Sequence, residues 1–292
     1  MRAPILLVLL APGIASCGGA DAPPPAADRP TVVASIHPIA ALVRVLVGER
    51  ADVRVLLPPG AHADTFEPRP RMAEAVEGAA LIIKVGGGLD EWVGTPGAGG
   101  RLLVLTEGMT LRGGDGQGGS GNPHVWLDPL LVRDRMLPRL AEALAARDAQ
   151  AATEIRARAA ALADSLTALD AEIGRILADA PTRRFIAAHP AWWYFADRYG
   201  LEQVGVLHPS PGEEIGTREL ARLVREARSR GVRAVIAEPQ LGRAGVAALA
   251  DELGVRVEVA DPIGGAGVEG RDGYLDLMRW NARAFARALG GA

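Results

Sequence analysis

The longest regular alternation of apolar and polar positions in the chain runs from residue 149 to residue 180. Apolar side chains recur at Ile155, Ala159, Leu162, Leu166, Leu169, Ile173 and Ile176, in alternating steps of four and three. That spacing lines them along one face of a single helix. No proline interrupts the stretch and Gly174 is its only glycine, so the pattern predicts a rod of roughly 45 Å. A dedicated coiled coil keeps its heptads for longer. A spine between two halves fits better, because strand-then-helix patterns lie on both sides of it.

Ahead of the spine, β-branched and apolar runs predict strands over 31–36, 52–57, 80–85 and 102–106. Helices are expected over 39–47, over 72–76 and from about Leu131. Pro58 to Pro70 reads as a proline-punctuated loop, and the glycine-rich stretch 111–122 as a mobile surface loop. Behind the spine, strands over 184–188, 204–207, 233–237 and 255–259 alternate with helices over 191–199, over 217–230 with Thr217 as N-cap, up to Leu253, and over 274–289. Strands alternating with helices imply parallel sheets. The expected fold is α/β, two Rossmann-like lobes joined by one long rigid helix. The divisions are a signal segment over 1–17, a tether over 18–30, an N-terminal lobe over 31–148, the linking helix over 149–180 and a C-terminal lobe over 181–292.

The 292 residues are 49% hydrophobic and 23% charged, enough apolar material for two cores. The net charge of −3, without a basic patch, argues against nucleic acid as a partner. Lys84 is the only lysine among 32 basic residues, which reads as a base-composition bias. Cys17 is the only cysteine, so no internal disulfide forms. It closes a short apolar run, Ile5 to Leu10, that is too short to cross a bilayer and reads as an export signal. Ile14-Ala15-Ser16-Cys17 resembles the bacterial lipoprotein box, in which the cysteine becomes the lipidated first residue. Pro-rich residues 18–30 then form a disordered tether. The expectation is an exported protein held at a bacterial membrane by its lipid alone, in the periplasm or at the cell surface.

One local pattern recurs: an apolar strand, a potential metal ligand, then proline. It occurs at His37-Pro38, His189-Pro190, Glu238-Pro239 and Asp261-Pro262. Proline suits the first position of a helix, so the preceding residue stands at the carboxyl end of a strand, the edge where open α/β sheets bind ligands. Neutral imidazole is the form that ligates metal. A lone His-Pro is more often structural, and His208-Pro209, which runs into Ser210-Pro211-Gly212, reads as a turn. Glu238 reads first as a partner of a ligand rather than a ligand.

Several longer stretches carry a resemblance. They are Pro58-Pro59-Gly60-Ala61 with Thr65-Phe66-Glu67-Pro68, Pro123-His124-Val125-Trp126-Leu127, His189-Pro190-Ala191-Trp192 with Tyr194-Phe195-Ala196, Glu238-Pro239-Gln240, and Asp261-Pro262. Together with the lipobox and the spine they make the chain similar to the metal-binding lipoproteins of ABC transporters that import zinc or manganese, the cluster A-I substrate-binding proteins. The resemblance covers nearly all of the mature chain. It implies a metal held in the cleft between the lobes, with about two ligands from each. His124 falls on the family's second ligand, His189 on its third and Asp261 on its fourth. The usual first histidine, just before Thr-Phe/Tyr-Glu-Pro, is Asp64 here. Asp64 itself, His62 and His37 all remain open for that position, with His37 preferred because strand ends are better placed than loops. Stretch 111–122 lies where many zinc-specific members carry a His-rich segment, and it contains no histidine.

Three imidazoles and a carboxylate suit tetrahedral Zn²⁺, whereas two nitrogens with two carboxylates tilt toward Mn²⁺ or Fe²⁺. The resemblance therefore implies a monomeric binding protein, not an enzyme. It would capture a divalent ion, zinc first, and deliver it to an ABC transporter permease. An exported zinc hydrolase is the competing expectation. It needs an open coordination position and a base such as Glu238 or Glu67, and the chain has no His-Glu-x-x-His. An adhesin or interaction lipoprotein is a third, although no stretch marks an adhesive surface.

Overall fold

The computed structural model describes residues 29–94, 101–114, 121–209 and 215–290. The signal segment with Cys17, nearly all of the tether and the middle of the glycine-rich stretch lie outside the described residues. The first half contains β1 (Thr31–Ala34), α1 (His37–Val47), β2 (Asp52–Val55), α2 (Pro70–Glu77), β3 (Leu81–Lys84) and β4 (Leu102–Val104). A short α3 (Pro129–Leu131) runs through one π-helical turn into α4 (Leu137–Arg147), and α5 (Ala152–Ala178) is the spine. The second half contains β5 (Arg184–Ala187), α6 (Trp193–Tyr199), β6 (Glu202–Val206), α7 (Thr217–Ser229), β7 (Ala234–Ala237), α8 (Arg243–Leu253), β8 (Arg256–Val259) and α9 (Tyr274–Ala288).

Among the described residues all strand pairs are parallel, in the orders β2-β1-β3-β4 and β6-β5-β7-β8. The two halves therefore share one topology. β3 and β7 are buried along their whole length, which is why Leu-Ile-Ile-Lys and Ala-Val-Ile-Ala read as continuous runs without alternation. Lys84 ends β3 as a buried ammonium, 2.8 Å from Glu91. Asp128 starts α3 by accepting the main-chain N–H groups of Leu130 and Leu131 at 2.8 and 3.3 Å. Thr217 does not cap α7 as expected. It is the first residue of the helix, and Gly216 stands at the cap without a side-chain bond.

The spine is 27 residues long, about 40 Å. Its buried face is Ile155, Leu162, Leu166, Leu169, Ile173 and Leu177, close to the stripe read from the sequence. It packs on α1 and α4 of the first half and on α9 and α6 of the second. The result is one uninterrupted apolar core from Leu42 and Leu46 through Leu166 and Leu169 to Phe185 and Phe285. Polar bonds tie the halves as well. Buried Trp126 donates its indole N–H to the carbonyl of Pro262 at 2.7 Å, and the Tyr274 hydroxyl donates to the carbonyl of Trp126 at 2.7 Å.

Candidate metal centre

In the second sheet the strand order reverses between β5 and β7, and the crevice there is where such sheets receive ligands. His189 lies two residues past β5 in extended backbone, φ −141° and ψ 172°, just before the turn at Pro190. Glu238 follows β7 directly and is 1% exposed. The first half supplies the facing wall. His124 precedes the 3₁₀ turn Val125–Leu127, and His62 and Asp64 flank Ala63 at the turn Ala63–Thr65. Trp92 pins that second turn from a distance. Its indole N–H donates to the carbonyl of Ala63 at 3.0 Å, and its ring meets Phe66 edge-on with centroids 4.9 Å apart.

The Nε2 atoms of His124 and His189 are 3.2 Å apart. His189 Nδ1 is 2.7 Å from Glu238 Oε1, and a carboxylate only accepts, so Nδ1 carries the hydrogen. His124 Nδ1 is 3.0 Å from the Asn122 side-chain oxygen. Both rings thus turn Nε2 toward the same point, where a proton or a cation satisfies the pair. Two nitrogens on a tetrahedral ion at zinc-like bond lengths stand about 3.3 Å apart, which matches. Asp64 joins this group, its ligating oxygen and the two ring nitrogens all lying within 4.8 Å of one another. His62 stands edge-on to His189, centroids 4.8 Å apart, and reaches within the same distance of His189 and Glu238.

The electrostatics call for positive charge. Among the described residues Asp64 Oδ1 and Glu238 Oε2 are buried without a hydrogen-bond partner, and buried carboxylates are normally paired or metal-bound. Burial raises the Asp64 carboxyl above its usual range, with His189 pulling it back. Burial, then the charge of His189, lowers His62 to about 4. The same two causes, with His62 added, hold His124 far below the usual imidazole range. Both rings are therefore neutral and ready to ligate at pH 7. Burial also presses His189 down, but Glu238 and then Asp64 outweigh it and lift its pKa.

The cavity enclosed by His62, Ala63, Asp64, His124, His189, Gln240, Pro262 and Ile263 measures about 10 Å³. That is room for one water-sized occupant. A single ion fits it. An ester or peptide group is larger than this space.

Two expected ligands are not brought to this cavity. His37 is 4% exposed, and its Nε2 bonds the main-chain carbonyl of Asp272 at 2.7 Å. Asp261 has both oxygens engaged. Oδ1 accepts from Gln240 at 2.8 Å and from the N–H groups of Ile263 and Gly264 at 3.1 and 2.9 Å, while Oδ2 pairs with Arg271 at 2.8 Å. Its own peptide N–H and carbonyl are bonded to buried Asn281, each at 2.8 Å. In this structure His37 and Asp261, the expected first and fourth ligands, are thus bonded elsewhere and lie outside this cavity. Asp64 and His62, the other two candidates for the first position, stand beside the histidine pair, and Asp261 organises the turn whose Pro262 receives Trp126. Sequence reasoning missed Asn122 and Gln240. Gln240 lines the cavity with its Oε1 buried and unpartnered. Both stand inside stretches already singled out, each across one proline from a histidine or a glutamate, and that proximity is the available signal.

The sequence profile of the family described as ZnuA, zinc-uptake complex component A, periplasmic, matches residues 32–288. This chain belongs to that family. ZnuA-family members are components of metal transport rather than enzymes. The high-affinity zinc uptake system protein ZnuA of Paracoccus denitrificans is 27% identical, over 95% of this chain and 97% of its own length. The crystal structure of a ZnuA with residues 138–173 deleted, with zinc bound, superposes with a TM-score of 0.79 at 29% identity, covering 91% of this chain and 99% of that one. The laminin-binding protein Lmb of Streptococcus agalactiae, described as bifunctional with adhesin and metal-transporting activity, superposes with a TM-score of 0.79 at 25% identity, over 89% and 99%.

Proposed function

We propose that this protein captures Zn²⁺ between its lobes, through His124 Nε2, His189 Nε2, Asp64 and His62, and hands it to the permease of an ABC importer. The observation that carries the reading is the pair of facing Nε2 atoms, 3.2 Å apart, beside an orphaned buried carboxylate oxygen on Asp64. Three imidazoles and one carboxylate, shut from water, are a zinc set. The zinc-bound ZnuA structure supports the same cargo. Two carboxylates, Asp64 and Glu238, balance a divalent charge inside the apolar surround. Cys17 carries the lipid anchor, and the protein works as a monomer.

The test is calorimetric titration of metal-free protein with Zn²⁺ and Mn²⁺. Asp64→Ala and His62→Ala should each weaken zinc by roughly tenfold or more, since each removes a direct ligand. His37→Ala should leave zinc affinity unchanged within error. If His37→Ala abolishes binding and Asp64→Ala does not, the first ligand is misassigned.

Glu238→Gln removes the charge behind the His189 imidazole while keeping an acceptor of the same shape. Zinc affinity should fall about 10–100-fold, the usual cost of losing a partner behind a metal ligand. Competition against a chromogenic chelator measures it, and parent-like affinity would deny Glu238 this role. Because the spine and the shared core resist bending, crystals grown with and without zinc should differ by small lobe rotations and local movement of the 58–70 loop. A wide hinge closure would contradict this.

A further inference from the structure

We propose that Asn122 is an interlobe clasp that positions both ligand histidines and thereby sets how long the site retains its ion, an inference that rests on the metal-binding reading above. The orientation of its amide follows from obligate partners. The main-chain N–H of His124 can only donate, and it lies 3.0 Å from Asn122 Oδ1. The carbonyl of Pro190 can only accept, and it takes the Nδ2 end. A flipped amide would face donor with donor and acceptor with acceptor. Oδ1 is therefore also an acceptor toward His124 Nδ1, 3.0 Å away. Nδ1 holds the hydrogen, and the lone pair stays on Nε2, the atom aimed at His189.

Pro190 follows His189 directly in the chain. One buried amide, 9% exposed, thus fixes the tautomer of the first-half histidine and grips the turn that carries the second-half histidine. Its own main chain is fastened to match. The Asn122 N–H donates to the carbonyl of Arg112 at 2.7 Å, and its carbonyl accepts the Tyr194 hydroxyl at 2.9 Å. That hydroxyl accepts the Arg112 N–H at 2.9 Å. Gly121 permits the approach, since a Cβ there would stand 2.6 Å from the Leu111 Cβ. Other interlobe bonds, such as Trp126 to Pro262, Tyr274 to Trp126 and His37 to Asp272, end on main-chain carbonyls and hold neither His124 nor His189.

Two variants separate the two halves of the clasp. Asn122→Ala removes the acceptor from His124. In metal-free protein, ¹⁵N NMR of the imidazoles should show His124 moving from the Nδ1–H tautomer toward Nε2–H. Asn122→Asp keeps an acceptor for His124 and sets an oxygen against the carbonyl of Pro190. Its tautomer should match the parent, while amide hydrogen exchange at Ala191 to Trp193 accelerates about tenfold or more. Zinc release, followed by stopped flow into excess chelator, should quicken about 10–100-fold in both variants, the range for residues supporting metal ligands. Parent-like behaviour in either the tautomer arm or the exchange arm overturns the clasp, and so does an unchanged release rate. If zinc binds neither parent nor variants while the tautomer and exchange effects appear, the clasp stands and the metal-binding reading fails. Circular dichroism and a thermal melt identify a variant that has not folded, and the other then carries the test.

Discussion

Alanine at His124 or at His189 should raise the zinc dissociation constant about 10²–10³-fold. Structural zinc sites are worth about 10–16 kcal/mol across four ligands, so one ligand carries about 2.5–4 kcal/mol, and each 1.4 kcal/mol is a factor of about ten. These two are the ligands for which the loss should be largest. Their Nε2 atoms already stand at the separation a tetrahedral ion imposes, 3.2 Å, and His189 is the one proposed ligand from the second half, so its loss leaves the ion bound from one side. The two single losses should exceed their share in the double variant, because the second ligand has little to hold once the first is gone. His189→Ala also strips Glu238 of its imidazole partner and leaves the buried carboxylate, among the described residues, with the Trp192 indole N–H at 3.1 Å. Folding of that variant is checked by circular dichroism before titration. Unchanged isotherms for both variants would end the metal assignment.

How far that site was legible in the chain turns on one residue of register. The eight strands and the spine could be read because β-branched runs, proline stops and a four-and-three repeat are local signals. His37-Pro38 and His189-Pro190 look alike at that level. In the structure His189 precedes its helical turn in extended backbone, two residues past the end of β5, whereas His37 is the first residue of α1, three past the end of β1. In extended backbone one residue reverses the side-chain direction. His189 points into the crevice, while His37 finds the carbonyl of Asp272. Nothing within a few residues of either histidine records that difference.

At the level of sequence Asp64 stays open but stands behind His37, because strand ends are better placed than loops to hold an ion. Here the loop is made stiff by a residue far along the chain, Trp92, through its bond to the Ala63 carbonyl and its contact with Phe66. Asp261 shows the opposite case. Its Asp-Pro signature is real, but the peptide groups and guanidinium that consume its oxygens come from Ile263, Gly264 and Arg271 folding back over it. Ligand-type residues could be found by inspection. Which of them keeps a free lone pair depends on every donor the fold delivers, and those donors are not local.

Phe285→Ala should cost about 3–5 kcal/mol of folding stability, the range for removing a fully buried aromatic side chain. Phe285 of α9 is 0% exposed. Its ring centroid lies 5.1 Å from Phe185, 5.0 Å from Trp192 and 4.8 Å from Phe195, in edge-on or tilted packing that adds to the area term. The cluster is also the floor beneath the candidate centre, since Trp192 bonds Glu238. Urea unfolding gives the cost from the midpoint at constant slope. The shape of the curve matters as much as its position. One continuous core runs from α1 through the spine to Phe285, so both halves should lose structure in a single transition, with tryptophan fluorescence and far-ultraviolet dichroism coinciding. In Phe285→Ala the whole curve should move to lower urea as one. Two separated transitions, with the first half unmoved by the substitution, would mean that the spine joins two independent cores, and the stiffness that the small-rotation expectation relies on would lose its physical source.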